Sequence, residues 1–203
     1  MTEFTGIVHG DVKPENILIF KNREGRLIAK LADFGCSVLG TSRDQLVCLP
    51  KSWPWFAPEY HHRDFKLHVA RRMDIYSFGM LCLWILSSND DDILVLLDKW
   101  KKEDKIREEA RRVTESLVDL DAISKIELQK FFDLVLVAEP KHRSSDLREL
   151  IGYLIADRYK MKPQHQKSWL MRYRVAPHLF ADLKERTKTT PHAKFRVSRA
   201  AII

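Results

Sequence analysis

Hydrophobic and polar positions follow two different periodicities along this chain of 203 residues. The β-rich runs NILIF (16–20) and LIAKLADFG (27–35) flank KNREGR, whose Asn and Gly favour a turn, so these pieces predict a β-hairpin. Residues 36–58 have few periodic positions and contain prolines, which predicts a long loop. Loops of this length are usually functional.

Helical periodicity dominates the rest of the chain. It predicts helices at about 71–87, 91–118 in one or two pieces, 123–138 and 144–158. The most apolar run, IYSFGMLCLWIL (75–86), is too short to span a bilayer and is interrupted by Ser and Gly, so we expect a buried helix. Together the elements predict a mainly α body with a small β-hairpin, an α+β fold.

The composition is that of one soluble intracellular domain. With 45% hydrophobic residues, a chain of this length can bury one good core. The three cysteines, Cys36, Cys48 and Cys82, share no metal-ligand spacing, and their odd number argues against a disulfide framework. The N-terminus lacks the basic and apolar regions of a signal peptide. We therefore predict an intracellular protein, cytoplasmic or nuclear, without a transmembrane segment.

The net charge of +7 comes from the C-terminal end of the chain. From Lys160 onward, 11 Lys and Arg residues outnumber Asp182 and Glu185, so this tail carries +9 and residues 1–159 carry −2. Such a tail could bind nucleic acid or an anionic membrane. It has no zinc-finger or RNA-binding signature and no regular basic helical face, which favours a solvated extension. We predict a domain at 1–159 and a basic tail at 160–203.

Five short motifs occur in a fixed order: HGDVKPEN (9–16), DFG (33–35), APE (57–59), DIYSFG (74–79) and PKHR (140–143). In this order they resemble the C-terminal lobe of a eukaryotic protein kinase, with an activation segment at 33–59. DFG or APE alone often occurs by chance. The five fixed positions of the first motif, His9, Asp11, Lys13, Pro14 and Asn16, agree by chance only about once in a few million windows. The resemblance covers roughly residues 5–158.

The resemblance implies phosphoryl transfer from Mg-ATP to a Ser or Thr hydroxyl of a protein substrate. This chemistry depends mainly on positioning and on neutralising charge. Asp33 is implied as the main Mg²⁺ ligand and Asn16 as the second, and oxygen donors suit this hard cation. Asp11 would accept or orient the proton of the substrate hydroxyl. Lys13 would contact the transferring phosphate, and Lys at this position is similar to the serine/threonine class of the family.

Other matched positions are implied to be structural or to contact the nucleotide. Glu59 and Arg143 occupy the places of a buried ion pair that ties the activation segment to the helical body. Asp74 matches an aspartate that hydrogen-bonds the backbone of the catalytic loop, and His9 is expected to pack there. Leu18 matches the apolar residue below the adenine ring, although ordinary hairpin core would explain it equally well.

The activation segment and the first motif also differ from the family pattern. Ser52, seven residues before Glu59, stands where the family usually has a Thr whose hydroxyl contacts the catalytic Asp and Lys. Lys51 replaces the usual preceding Gly, and WPW (53–55) is bulkier than the common sequence, so we expect unusual substrate docking. Gly10 replaces an Arg that normally pairs with an activation-loop phosphate, so coupling of phosphorylation to catalysis should be absent.

The family's glycine-rich loop, its strand Lys and the helix Glu that pairs with this Lys match no residue of this sequence. We therefore expect the chain to be the kinase C-terminal lobe from the catalytic loop onward, without the N-terminal lobe, and to be inactive unless that lobe or a partner chain is present. Two alternatives stay open. The chain could be a non-catalytic kinase-like binding module, or a protein anchored to nucleic acid or membrane through its basic tail.

Overall fold

A computed structural model describes residues 6–24, 27–40, 42–60, 64–87, 92–145, 147–155 and 195–196. The strands are β1 Gly6–Val8, β2 Ile17–Lys21, β3 Leu27–Leu31, β4 Val38–Gly40, β5 Leu46–Cys48, β6 Asp64–Lys66 and β7 Phe195–Arg196. The helices are α1 Leu67–Leu86, α2 Ile93–Lys102, α3 Ile106–Ser116, α4 Ala122–Val135 and α5 Leu147–Ile155. Helices with small antiparallel sheets agree with the predicted α+β class.

The chain divides into two compact units. The larger, which we call the helical unit, lies within residues 1–12 and 35–161 and contains β1, β4, β5, β6 and the helices α1 to α5. The smaller, which we call the hairpin unit, lies within residues 13–34 and 162–203 and contains β2, β3 and β7. The predicted basic tail, 160–203, lies outside the described residues except for Phe195–Arg196.

Helix α1 is the centre of the helical unit and packs against α2, α3, α4 and the strands β1, β5 and β6. Tyr76, Met80 and Leu83 of this helix are fully buried. Phe78 lies edge-on to Phe131 of α4, with ring centroids 5.9 Å apart. The prediction of a buried helix at 75–86 is therefore confirmed. Within the described residues, no helix combines the length and apolar character needed to cross a membrane.

The helix predictions agree in type and differ at the ends. Helix α1 begins at Leu67 rather than near residue 71, because Lys66 ends β6 and is already the N-cap in an extended conformation. The predicted stretch 91–118 contains two helices, α2 and α3. Asp104, between them, has φ of 56°, and a residue in this left-handed conformation cannot continue a helix. The prediction for 144–158 corresponds to α5, and its last residues lie outside the described part.

Two pairs of three-residue strands were not predicted. Strand β1 pairs antiparallel with β4, with Ile7 opposite Leu39. Strand β5 pairs antiparallel with β6, with Val47 opposite Phe65. The prediction of a long loop at 36–58 is thus wrong at β4 and β5. Strands this short show no clear alternation of apolar and polar residues, and their partners lie elsewhere in the sequence.

The hairpin unit is built on the predicted hairpin. Strands β2 and β3 pair antiparallel, from Ile17 opposite Leu31 to Lys21 opposite Leu27, and β7 pairs with the other edge of β2. The second strand ends at Leu31 rather than continuing through residue 35. Asp33 has φ of 62°, which is incompatible with an extended strand.

Gly79 and Gly152 provide a matched test of the packing of α1 on α4. A Cβ added at Gly79 would lie 2.5 Å from Cγ2 of Val135, so Gly79→Ala should lower the free energy of unfolding by about 1–3 kcal/mol. A Cβ at Gly152 in α5 meets no atom within 4 Å. Gly152→Ala should therefore raise the free energy of unfolding by up to about 1 kcal/mol. Urea unfolding measures both changes, and equal stability of the two variants would contradict the α1–α4 contact.

Candidate functional site

The predicted site residues are divided between the two units. The helical unit contains His9, Asp11, Ser52, Glu59, Asp74 and Arg143. The hairpin unit contains Lys13, Asn16, Leu18 and Asp33. Within each unit, hydrogen bonds and strand pairing bring together residues that are distant in the sequence.

Asp74 of α1 fixes the loop that precedes Asp11. Its carboxylate accepts hydrogen bonds from the backbone N–H of His9 at 2.6 Å and of Gly10 at 2.9 Å. His9 is buried, and its carbonyl accepts a hydrogen bond from the Ser37 hydroxyl at 3.1 Å. Its ring Nδ1 accepts one from the N–H of Asp11 at 3.3 Å. The contacts that the kinase resemblance implied for Asp74 and His9 are therefore present.

Gly10 occupies a backbone conformation that other residues rarely adopt. Its φ is 81°, in the left-handed region where glycine has no steric penalty. A Cβ at this position would lie 3.0 Å from both the carbonyl oxygen of Cys36 and Cδ2 of Leu49. Conformation and space therefore both favour glycine here, at the position where the family usually has Arg.

Ser52 and Asp11 meet within the helical unit although 41 positions separate them. The Ser52 hydroxyl donates a hydrogen bond to Oδ1 of Asp11 at 2.5 Å. Both residues are half-buried, so water has limited access to this contact. It joins the segment after β5 to the loop that Asp74 holds, and it orients the Asp11 carboxylate.

Arg143 and Glu59 form a buried ion pair, as the hypothesis of a contact between them requires. The guanidinium donates from Nη1 to Oε1 of Glu59 at 2.8 Å and from Nη2 to Oε2 at 3.1 Å. It also donates to the carbonyl oxygens of Arg72 at 2.8 Å and Val137 at 2.7 Å, and it stacks on the Tyr76 ring. Arg143 is 2% exposed. Hydrogen bonds to this many partners offset much of the free-energy cost of desolvating the buried charge.

The hairpin unit places Asn16 and Asp33 at the same end of its strand pair. Asn16 directly precedes β2, and its carbonyl accepts a hydrogen bond from the N–H of Ala32, the residue before Asp33, at 2.8 Å. Asn16 is buried and Asp33 is exposed. The left-handed φ of Asp33 is one that Asp and Asn tolerate better than most residues.

Asn16 and Asp33 fit Mg²⁺ in donor type, because a carboxamide and a carboxylate both offer hard oxygen atoms. Across the described ranges, no group of three or more His, Cys, Asp or Glu residues could hold a metal ion. A pair of protein oxygens is nevertheless typical of Mg²⁺ sites, where water and nucleotide phosphates supply the remaining ligands. The arrangement therefore suits a metal that arrives with a nucleotide.

Leu18 and Lys13 are half-buried in the hairpin unit. Leu18 lies in β2 opposite Lys30 of β3 and opposite Arg196 of β7. This position in β2 is compatible with both roles considered for Leu18, contact with an adenine ring and packing in the hairpin core. Lys13 precedes the 3-10 turn Pro14–Asn16, and its carbonyl accepts a hydrogen bond from the Asn16 N–H at 3.0 Å.

Lys101 belongs to none of the sequence motifs, although its side chain is only 5% exposed. It belongs to the run KWKK at the end of α2, where basic residues usually lie in solvent. Its Nζ lies 3.6 Å from the centroid of the Phe56 ring. Burial lowers the pKa of Lys101 to about 8, against the opposing charge of Asp98. No pattern in the sequence distinguishes it from its neighbour Lys102, which is 73% exposed.

Comparison with known proteins identifies one family. A family model described as the protein kinase domain matches residues 4–165. A probable LRR receptor-like serine/threonine-protein kinase of Arabidopsis thaliana is 26% identical over 216 aligned positions, which cover 97% of this chain and 20% of that protein. Serine/threonine-protein kinase PAK 5 of Rattus norvegicus is 29% identical over 153 positions, covering 73% of this chain and 19% of that kinase.

Receptor-like protein kinase THESEUS 1 of Arabidopsis thaliana is 39% identical over 83 positions, which cover 39% of this chain and 9% of that protein. The chain thus spans a fifth or less of the length of these curated relatives.

Asp74 should make stability depend on pH. Burial raises its pKa from 3.8 to about 6, because the hydrogen bonds from the Gly10 and His9 N–H groups lower it by less. The folded state therefore binds the proton more tightly than the unfolded state does. The contribution of Asp74 to the free energy of unfolding should rise as the pH falls from about 6 to 4, by up to about 3 kcal/mol.

Urea unfolding of the wild-type protein and of Asp74→Asn between pH 4 and 7 measures this contribution. Asn resembles the protonated acid and does not titrate, so the difference between the two proteins should change with pH in the stated direction. Parallel stability profiles for the two proteins would show that the carboxyl group of Asp74 has an ordinary pKa.

A double-mutant cycle tests the Glu59–Arg143 pair. Glu59→Gln or Arg143→Met alone leaves one buried charge without its partner and should lower the free energy of unfolding by roughly 3 to 5 kcal/mol. The double variant should lose less than the sum of the two single losses. Chemical denaturation supplies all three values, and strictly additive losses would count against an energetic coupling between the two side chains.

Proposed function

Because the chain belongs to the protein kinase domain family, we propose that it carries the acceptor-orienting and metal-binding residues of a serine/threonine protein kinase. The observation that carries the proposal is the hydrogen bond from the Ser52 hydroxyl to Oδ1 of Asp11 at 2.5 Å. In the kinase motif this carboxylate faces the substrate hydroxyl, and Ser52 holds it in one orientation. The proposed reaction transfers the γ-phosphoryl group of Mg-ATP to a Ser or Thr hydroxyl of a protein.

Asp11 is the proposed acceptor of the substrate proton. Its loop is held by the two N–H bonds to Asp74 and its side chain by Ser52. A carboxylate fixed in this way orients the attacking hydroxyl and accepts its proton as the bond to phosphorus forms. Lys13 is the proposed partner of the transferring phosphate, for which a flexible ammonium group serves as a point charge.

Asn16 and Asp33 are the proposed ligands of Mg²⁺. When bound, Mg²⁺ neutralises charge on the nucleotide phosphates during transfer. The buried carboxamide of Asn16 contributes a fixed neutral oxygen, and the exposed carboxylate of Asp33 contributes the negative charge. Leu18 in β2 is proposed to pack below the adenine ring.

Gly10 suggests that catalysis does not depend on a phosphate in the activation segment. An Arg in this position would place a guanidinium where it could bind such a phosphate. With glycine, this phosphate-binding group is absent from the loop before Asp11. We therefore propose that ordering of residues 35–40 and 42–59 depends on packing within the helical unit rather than on phosphorylation.

The proposed reaction also needs the family's glycine-rich loop, strand Lys and helix Glu, which match no part of the 203 residues. These groups clamp the phosphates in line with the acceptor. We propose that an N-terminal lobe in the same protein or on a partner chain supplies them. Transfer assays should therefore use the longest protein that contains this chain, together with the partner chain if that chain carries the lobe.

Asp33→Asn is the sharpest test of the proposed metal site. Asn tolerates the left-handed conformation of this position, so the substitution removes the charge while keeping the backbone. We expect the rate of phosphoryl transfer to a basic protein substrate to fall more than about 100-fold, because a neutral amide binds Mg²⁺ poorly. Asp133→Asn in α4, which is half-buried and outside the proposed site, is the control and should leave the rate within about twofold of wild type.

An Asp33→Asn variant that keeps more than a tenth of the wild-type rate would show that Asp33 is not the main metal ligand. Absence of any transfer by the unsubstituted protein, assayed with its N-terminal lobe present and with Mg-ATP and Ser- or Thr-containing substrates, would contradict the proposed function itself. Asp11→Asn distinguishes loss of the proton acceptor from loss of the metal ligand, since it should abolish turnover without weakening metal binding.

A further inference from the structure

We propose that Lys101 is a positioning residue, whose ammonium group holds residues 52–56 in the conformation that brings Ser52 to Asp11. We call residues 52–56 the Ser52 segment. Its part in presenting the substrate rests on the proposed kinase function, whereas the contacts that hold it in place do not. Lys101 lies in α2, outside all five motifs of the sequence.

The ammonium group of Lys101 is bound on several sides. Nζ donates hydrogen bonds to the carbonyl oxygen of Pro54 at 2.6 Å and to that of Phe56 at 3.1 Å. It lies over the Phe56 ring, 3.6 Å from the centroid, and 3.8 Å from Oδ1 of Asp98. A buried ammonium group is stable only where such partners replace water. These contacts therefore fix the side chain against the Ser52 segment.

Residues 52–56 belong to no helix or strand, and three carbonyls of the Ser52 segment accept hydrogen bonds from side chains. The carbonyl of Trp55 accepts a hydrogen bond from the Ser77 hydroxyl of α1 at 2.9 Å. The carbonyls on either side of it, those of Pro54 and Phe56, both accept from Lys101. Three consecutive carbonyls are thus bound by side chains of α1 and α2, as buried backbone groups require.

A short series of contacts connects Lys101 to Asp11. Lys101 binds the carbonyl of Phe56, and the N–H of Phe56 donates to the carbonyl of Ser52 at 3.1 Å. The Ser52 hydroxyl then donates to Asp11. Loss of the ammonium group would free the Phe56 end of this turn, and the position of the Ser52 hydroxyl would no longer be fixed.

The carboxylate of Asp98 partly neutralises the charge of the Lys101 ammonium group. This carboxylate lies 2.7 Å from Nζ of Lys102 in addition to its contact with Lys101. Desolvation raises the pKa of Asp98, but the hydrogen bonds from Lys102 and Trp53 and the nearby ammonium charges outweigh it and lower the pKa. Asp98 therefore stays ionised at neutral pH beside the buried ammonium group of Lys101.

Hydrogen exchange tests the proposal without requiring catalysis. Lys101→Met keeps the length of the side chain and removes its donors. We expect it to accelerate exchange of the Phe56 amide at least tenfold relative to the amides of α1. Lys101→Gln keeps an NH₂ group and should show a smaller acceleration, and it provides the measurement if Lys101→Met does not fold. Lys102→Met, which removes an exposed partner of Asp98, is the control and should change Phe56 exchange less than twofold.

A Phe56 amide that exchanges within twofold of the wild-type rate in both Lys101 variants would overturn the proposal. So would a uniform acceleration across α1, which would indicate a general structural role. In the transfer assay, the proposal predicts a KM for peptide substrate raised at least fivefold in Lys101→Gln, with a smaller change in KM for ATP. An unsubstituted protein without transfer activity would refute the kinase function alone, since the exchange result still decides the role of Lys101.

Discussion

The buried ion pair of Arg143 with Glu59 is the interaction on which the arrangement of the helical unit depends. The guanidinium joins Glu59, at the end of the APE motif, to the carbonyl of Arg72 in α1 and to that of Val137 after α4. One side chain therefore fixes three stretches of chain that lie far apart in the sequence. Charge-assisted, bidentate hydrogen bonds are directional as well as strong. The ion pair therefore fixes the position of Glu59, at the C-terminal end of the segment that contains Ser52.

Asp74 and Lys101 repeat the same physical solution at two other irregular segments. Asp74 binds the N–H groups of the loop before Asp11, and Lys101 binds the carbonyls of the Ser52 segment. Loops cannot satisfy their own backbone groups when they are buried. Here, charged side chains on α1 and α2 bind the backbone groups of the two loops. Because the helices are rigid, these contacts fix the positions of Asp11 and Ser52. A site on loops needs such a supporting shell to hold its geometry.

Periodicity was sufficient for the helices and the β2–β3 hairpin, because their patterns extend over many residues. It failed for β4 and β5, because each strand has only three residues and pairs with a strand that is distant in the sequence. The contact between Glu59 and Arg143 could be anticipated only from the ordered motifs, since the two residues are 84 positions apart. Lys101 could not be anticipated at all, because its burial results from how α2 meets the Ser52 segment and leaves no trace in KWKK.

The claim that these residues direct a phosphoryl group to an alcohol side chain is tested most directly by identifying the residue that becomes phosphorylated. The measurement is mass spectrometry of a mixed peptide library incubated with Mg-ATP and the longest protein containing this chain. The account predicts phosphoserine and phosphothreonine, formed in proportion to the protein added. Phosphotyrosine as the main product, or a library left unmodified by a correctly folded protein, would contradict it.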